Sequence, residues 1–144
     1  MRTKKRLFDV LLLCFAILCI CIMLLMPRRI NLTLDGAEVI GDAAVIRKEE
    51  SFFLPIRIVA EHAGYEIIRN TAGQEIVITD SQREIRVSTN LREYSINSEV
   101  FTLMTEPFVV ENRTYMHSDD IASMLNLRLK WDEDSYTIIL ESGR

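Results

Sequence analysis

His62 and His117 are the only histidines in this chain of 144 residues, and its three cysteines, Cys14, Cys19 and Cys21, share one apolar run near the N-terminus. Zinc and copper sites need clusters of such donors at fixed spacings, and neither H-E-x-x-H nor C-x-x-C occurs. No metal and no cofactor is therefore expected. His117, Ser118 and Asp119 include the residue types of a hydrolase triad. Adjacent residues at a helix start point in different directions, however, and cannot form the required chain of hydrogen bonds. Asp132, Glu133 and Asp134 are dense enough in carboxylates to suggest a calcium loop, but the glycine and terminal glutamate that shape one are missing, so a solvated turn is expected. A small extracytoplasmic hydrolase would need carboxylates such as Glu61 and Asp119 to converge in three dimensions. Two carboxylates with shifted pKa values in one cleft would mark it.

The elements that position these residues begin with a membrane segment. Arg2, Lys4, Lys5 and Arg6 precede Val10 to Met26, a run without charge or proline. At 1.5 Å per residue it spans roughly 25 Å, the short end of a bilayer crossing, and Leu7 and Phe8 can lengthen it if Asp9 lies at the interface. The run ends Met23-Leu24-Leu25-Met26-Pro27 without an A-x-A-like cleavage site, which favours an uncleaved anchor over a signal peptide. The excess of basic residues before the run places residues 1–9 in the cytoplasm, 10–26 in the bilayer and the remainder outside as a single-pass protein of the cell membrane. The cysteines act there as apolar filler, and the outer part holds together by packing alone.

Six of the seventeen basic residues and one of the twenty-one acidic ones precede Ile30, which leaves the outer 115 residues near −9. That surface repels phosphate backbones, so nucleic acid is not an expected partner. The size suits a single core.

Shifting the chain by 62 residues lays Ser51 to Asp80 onto Arg113 to Ser142 without a gap. Val59-Ala60 meets Ile121-Ala122, Ala63 meets Leu125, Ile67 meets Leu129, and Ile76-Val77-Ile78 meets Ile138-Ile139-Leu140. Only Ala60/Ala122 and Ile76/Ile138 are identities, so the agreement lies in the apolar pattern that fixes each buried face. In the first copy Phe52 to Leu54 reads as a strand, Pro55 suits the first helical position, and Ile56, Val59, Ala60 and Ala63 form one helical stripe closed by Gly64. In the second copy Ser118 is the expected N-cap, Asp119 and Asp120 complement the helix dipole, and Asn126 replaces Gly64. Strands follow at Glu66–Asn70 and Glu75–Thr79, and at Arg128–Asp132 and Tyr136–Glu141, joined by turns at Asn70–Gly73 and Asp132–Ser135. Ile30 to Leu34 alternates and runs into the hairpin pair Asp35-Gly36, and Glu84–Ser88 and Glu93–Ile96 add strands between the copies. The expected class is α+β: two tandem strand-helix-strand-strand repeats, about 51–80 and 113–142, forming one mostly antiparallel sheet packed with two short helices. Leu127, Leu129 and Trp131 share the inward face of their strand, and a sugar-stacking platform is the functional alternative for Trp131.

Leu54-Pro55-Ile56-Arg57, then Ala60-Glu61, Gly64 and the Ile76-Val77-Ile78 strand, with Trp131-Asp132 after the second helix, resemble the copper amine oxidase N-terminal-like domain, or stalk domain. The resemblance spans about residues 30–142 and marks Pro55, Arg57, Glu61, Gly64, Trp131 and Asp132 as structural motif positions. It implies a small non-catalytic α+β module, common on bacterial surface proteins; the family's copper and quinone cofactor belong to a separate catalytic domain. Where the second copy should repeat the proline–arginine run, the chain has Met116-His117-Ser118-Asp119, and where the first should carry the tryptophan it has Arg69. The implied function is a membrane-anchored stalk or interaction module, held in the bilayer through residues 10–26, that binds a surface protein or a cell-wall polymer.

Overall fold

Leu32 and Leu34 are buried and Asn31 is exposed, as period-two alternation requires of strand β1 (Asn31–Leu34) in a half-buried sheet. A computed structural model describes residues 2–25, 28–39, 44–70 and 74–143 of the chain. Asp35 and Gly36, with φ of 49° and 79°, turn β1 into β2 (Ala37–Glu38), as the hairpin reading expects. Ahead of them, helix α1 (Arg2–Leu25) contains one stretch, Phe8–Leu25, long and apolar enough to cross a membrane. Its apolar side chains, Asp9 and the three cysteines are exposed. Met26 and Pro27, the expected end of the span, and residues 71–73 of the expected first turn lie outside the described residues.

Among the described residues the strands form three sheets, which corrects the single sheet expected. The central one orders β10 (Phe108–Val110), β11 (Arg113–His117), β4 (Ser51–Pro55) and β3 (Ile46–Lys48), all antiparallel. Helix α2 (Ile56–His62) then carries the chain to the hairpin β5 (Glu66–Asn70) and β6 (Glu75–Thr79). That hairpin continues as a meander through β7 (Glu84–Ser88), β8 (Glu93–Ile96) and β9 (Glu99–Thr102). Helix α3 (Ser118–Met124) leads likewise to β12 (Leu127–Asp132) and β13 (Thr137–Ser142), which β1 joins in parallel. Returning to the central sheet as a parallel neighbour takes a crossover of about a dozen residues or more. The helical connections are shorter, so each hairpin is delivered to a sheet of its own.

Helix starts lie one residue from their expected places. Pro55 is not the first helical residue: it is extended (φ −73°, ψ 106°), ends β4 and pairs with Tyr115. Ser118 is not the cap of α3: His117 is, with its Nδ1 accepting from Asp119 N–H at 3.3 Å, while Ser118 is the first helical residue. Both helices stop as expected. Gly64 (φ 87°) donates to Glu61 O at 3.1 Å and Tyr65 to Ala60 O at 2.9 Å, the paired bonds of a left-handed helix closure. Asn126 (φ 55°) donates to Ser123 O in the same way. Ile56, Val59, Ile121 and Met124 pack with Leu54, Met116, Ile78, Ile85, Ile138 and Leu140 into one core.

Candidate functional site

The Leu-Pro-Ile-Arg run ends where β4 passes into α2, and there Pro55, Ile56 and Arg57 form one wall of a cleft of about 210 Å³. The antiparallel pairing of β4 with β11 brings the β10–β11 turn beside them, so Asn112, Arg113 and Thr114 form the opposite wall. Ile67 and Ile76, paired strands of the neighbouring sheet, supply the floor together with Ile56. The lining thus combines isoleucines with two arginines, an asparagine and a threonine, and no Asp or Glu lines it among the described residues. Arg57 is 59% exposed and 4.0 Å from Glu61, and Arg113 is 3.7 Å from Glu111. Exposed pairs this long hold their arginines only loosely.

Trp131 is not among the residues that line this cleft. Its ring packs at 4.7 Å on Phe52 and meets Tyr136 edge-on at 5.4 Å, with Arg47 over Phe52 and Arg28 over Tyr136. Trp131 therefore packs against the core as the strand pattern expects, half-buried. Asp132 next to it shapes the turn: its carboxylate accepts from Asp134 N–H, Ser135 N–H and the Ser135 hydroxyl, and the hydroxyl above all holds the group below its ordinary pKa.

The carboxylates named for a hydrolase do not assemble one. Glu61 faces Arg57, Asp119 faces the His117 ring at 3.3 Å, and neither lines the clefts described. Asp35 and Asp80 do share an open cleft beneath the two helix ends, but each is engaged in local structure. Asp35 accepts from the N–H and hydroxyl of Ser142, and Asp80 accepts from Gln82 N–H and Arg83 N–H. Asp120, expected only to complement the helix dipole, is buried. It is only 6% exposed and both oxygens accept from Met104 N–H, which ties the β9–β10 connection to α3; burial raises its pKa. For copper the donors do not fit. His62 and His117 stand on different elements, His117 is committed to a cap, and no group of three or more His, Cys, Asp or Glu side chains able to hold a metal occurs among the described residues.

Of the sequence-marked positions, Pro55 and Arg57 line the cleft, Glu61 pairs with Arg57, Gly64 closes α2, and Trp131 and Asp132 belong to the second helix's hairpin. Arg113, Asn112 and Thr114 were missed as site residues. The signal that finds them is the 62-residue spacing carried upstream of Ser51, where Glu49 and Glu111 turn with φ of 55° and 47°. A family model described as the copper amine oxidase N-terminal domain matches residues 33–140. No curated protein and no solved structure matches the chain.

Proposed function

The chain belongs to the copper amine oxidase N-terminal domain family, a non-catalytic module, and from that membership we propose that it is a membrane-anchored stalk. In this reading the domain stands outside the cell and holds a surface protein or a cell-wall component near the bilayer. The observation that carries the proposal is a juxtaposition: the apolar stretch ends at Leu25, and the family domain begins eight residues later at Thr33. A link that short keeps the domain within about 30 Å of the bilayer surface. Tethering raises the effective concentration of a weak binding surface, so modest intrinsic affinity suffices.

The domain itself reads as one strand-strand-helix-strand-strand unit laid down twice. Ile46–Lys48 and Phe108–Val110 stand 62 residues apart, as do α2 and α3. Left-handed residues support the same spacing in three pairs: Glu49 with Glu111, Gly64 with Asn126, and Gln74 with Tyr136.

Protease added to intact cells tests the topology. Digestion of residues beyond 30 with retention of the N-terminal segment in the membrane is expected, and a protected domain or a mature N-terminus after Met26 would refute it. Photo-crosslinking on the same cells then identifies what the domain holds.

A further inference from the structure

We propose that the cleft between Arg57 and Arg113 is a binding site for the free carboxylate of an extended peptide whose terminal side chains are small and apolar. The inference rests on the module and two-unit readings and names the ligand class and the site.

The cleft exists where the second unit departs from the first. Position 52 in one unit corresponds to position 114 in the other, and position 69 to position 131. At one place Phe52 and Trp131 pack ring on ring at 4.7 Å. Thr114, the counterpart of Phe52, lines the cleft of about 210 Å³, and in the sequence Arg69 is the counterpart of Trp131. Strand pairing keeps the frame the same, because Arg69 pairs with Ile76 as Trp131 pairs with Ile138. The helix side differs too: Ile58 lines the cleft, whereas Asp120 at its counterpart is tied to Met104. One aromatic plug is thus absent, and the space is lined by groups that the other unit lacks, since Asp119 and Ser51 correspond to Arg57 and Arg113.

The lining selects the ligand. Guanidinium groups present planar donor pairs that match a carboxylate, and the Asn112 amide and Thr114 hydroxyl add donors. Ile56, Ile67 and Ile76 offer methyl groups rather than hydrogen-bond partners, which suits short apolar side chains and not a sugar hydroxyl array. At about 30 Å³ per water the space equals roughly seven waters, room for one or two small residues. The outer part is net negative, so affinity for an anion rests on local basic groups such as this pair and falls as salt rises.

The test uses the full chain in nanodiscs, with isotope-labelled isoleucine methyls observed by NMR and N-acetyl-alanyl-alanine as the probe. Saturable shifts confined to the methyls of the lining isoleucines Ile56, Ile58, Ile67 and Ile76 are expected, with the C-terminal amide of the same probe binding about tenfold more weakly or worse, the loss of one charged bidentate contact. Arg57→Gln and Arg113→Gln should each weaken the acid and leave the amide unchanged. Thr114→Phe restores the plug and should abolish binding with the melting temperature retained; if that variant fails to fold, the two glutamine variants decide. Equal affinity for acid and amide, wild-type binding by both glutamine variants, or tighter binding of glycerol phosphate than of the peptide acid would each overturn the assignment. A wild-type chain without a cross-linked partner in cells would instead end the tethering reading and leave the nanodisc result standing.

Discussion

Leu54 and Met116 face each other across the pairing of β4 with β11, and both are sealed in the core, at 0% and 1% exposure. Their neighbours pair as Phe53 with His117 and Pro55 with Tyr115, so the register is symmetric about this one contact. It joins corresponding strands of the two proposed units at their centre. Leu54→Ala should therefore cost about 3–5 kcal/mol and Met116→Ala about 2–4 kcal/mol. A double-mutant cycle read by chemical denaturation should show non-additivity, because either truncation opens the same space. Additive losses would mean that the two side chains do not share a packing environment.

Gly64 tests the helix closure. A Cβ placed there meets nothing within 4 Å, so substitution is opposed by the left-handed backbone alone and not by crowding. Gly64→Val should lower stability by about 1 kcal/mol or more, and Gly64→Asn by much less, since Asn126 already occupies that conformation at the end of α3. Thermal melts of the two variants side by side check this, and equal melting temperatures would refute the closure.

Strands with clean alternation were legible to the residue: Glu66–Asn70, Glu75–Thr79, Glu84–Ser88 and Glu93–Ile96 stand where the pattern placed them. Ile46–Lys48, Glu99–Thr102 and Phe108–Val110 were not, because three or four residues give no readable period and are held extended by their partners. The turn Glu111-Asn112 hid for a related reason. Both residues take positive φ without a glycine to announce it. The cleft was invisible to local reading since Arg57 and Arg113 come together only through the β4–β11 pairing, which no neighbouring residue encodes. The burial of Asp120 was not legible because a helix-start aspartate reads the same whether it meets solvent or, as here, Met104 N–H.

Trp131 is the only tryptophan and reports on the aromatic stack. With Phe52 on its ring and Tyr136 at its edge, Trp131→Ala should cost about 3 kcal/mol, the low end for a large aromatic because the ring is half-buried. Trp131→Phe should recover most of that. Emission of the wild-type indole should not move on adding soluble cell-wall oligosaccharides, since its neighbours hold it against the core. A saturable shift would return Trp131 to the sugar-stacking role.

Asp120 gives the domain a pH dependence of defined sign. Its carboxyl is buried, so desolvation raises its pKa above 3.8; the Met104 and Thr105 N–H groups and His117 oppose that rise, and Asp119 adds to it. A raised native pKa means that the folded chain holds the proton more tightly than the unfolded chain. The stabilisation from this group is therefore complete below about pH 3.8 and is lost as pH climbs through the native pKa. Asp120→Asn keeps an acceptor for Met104 N–H and removes the titration. Denaturation midpoints measured from about pH 3.5 to pH 7 should show the wild type losing stability relative to this variant on the way up, with the difference flat near neutrality. A gap that widens in the opposite direction would mean that the ionised carboxylate is the form the fold prefers, and that its hydrogen bond to the β9–β10 connection outweighs the cost of burying the charge.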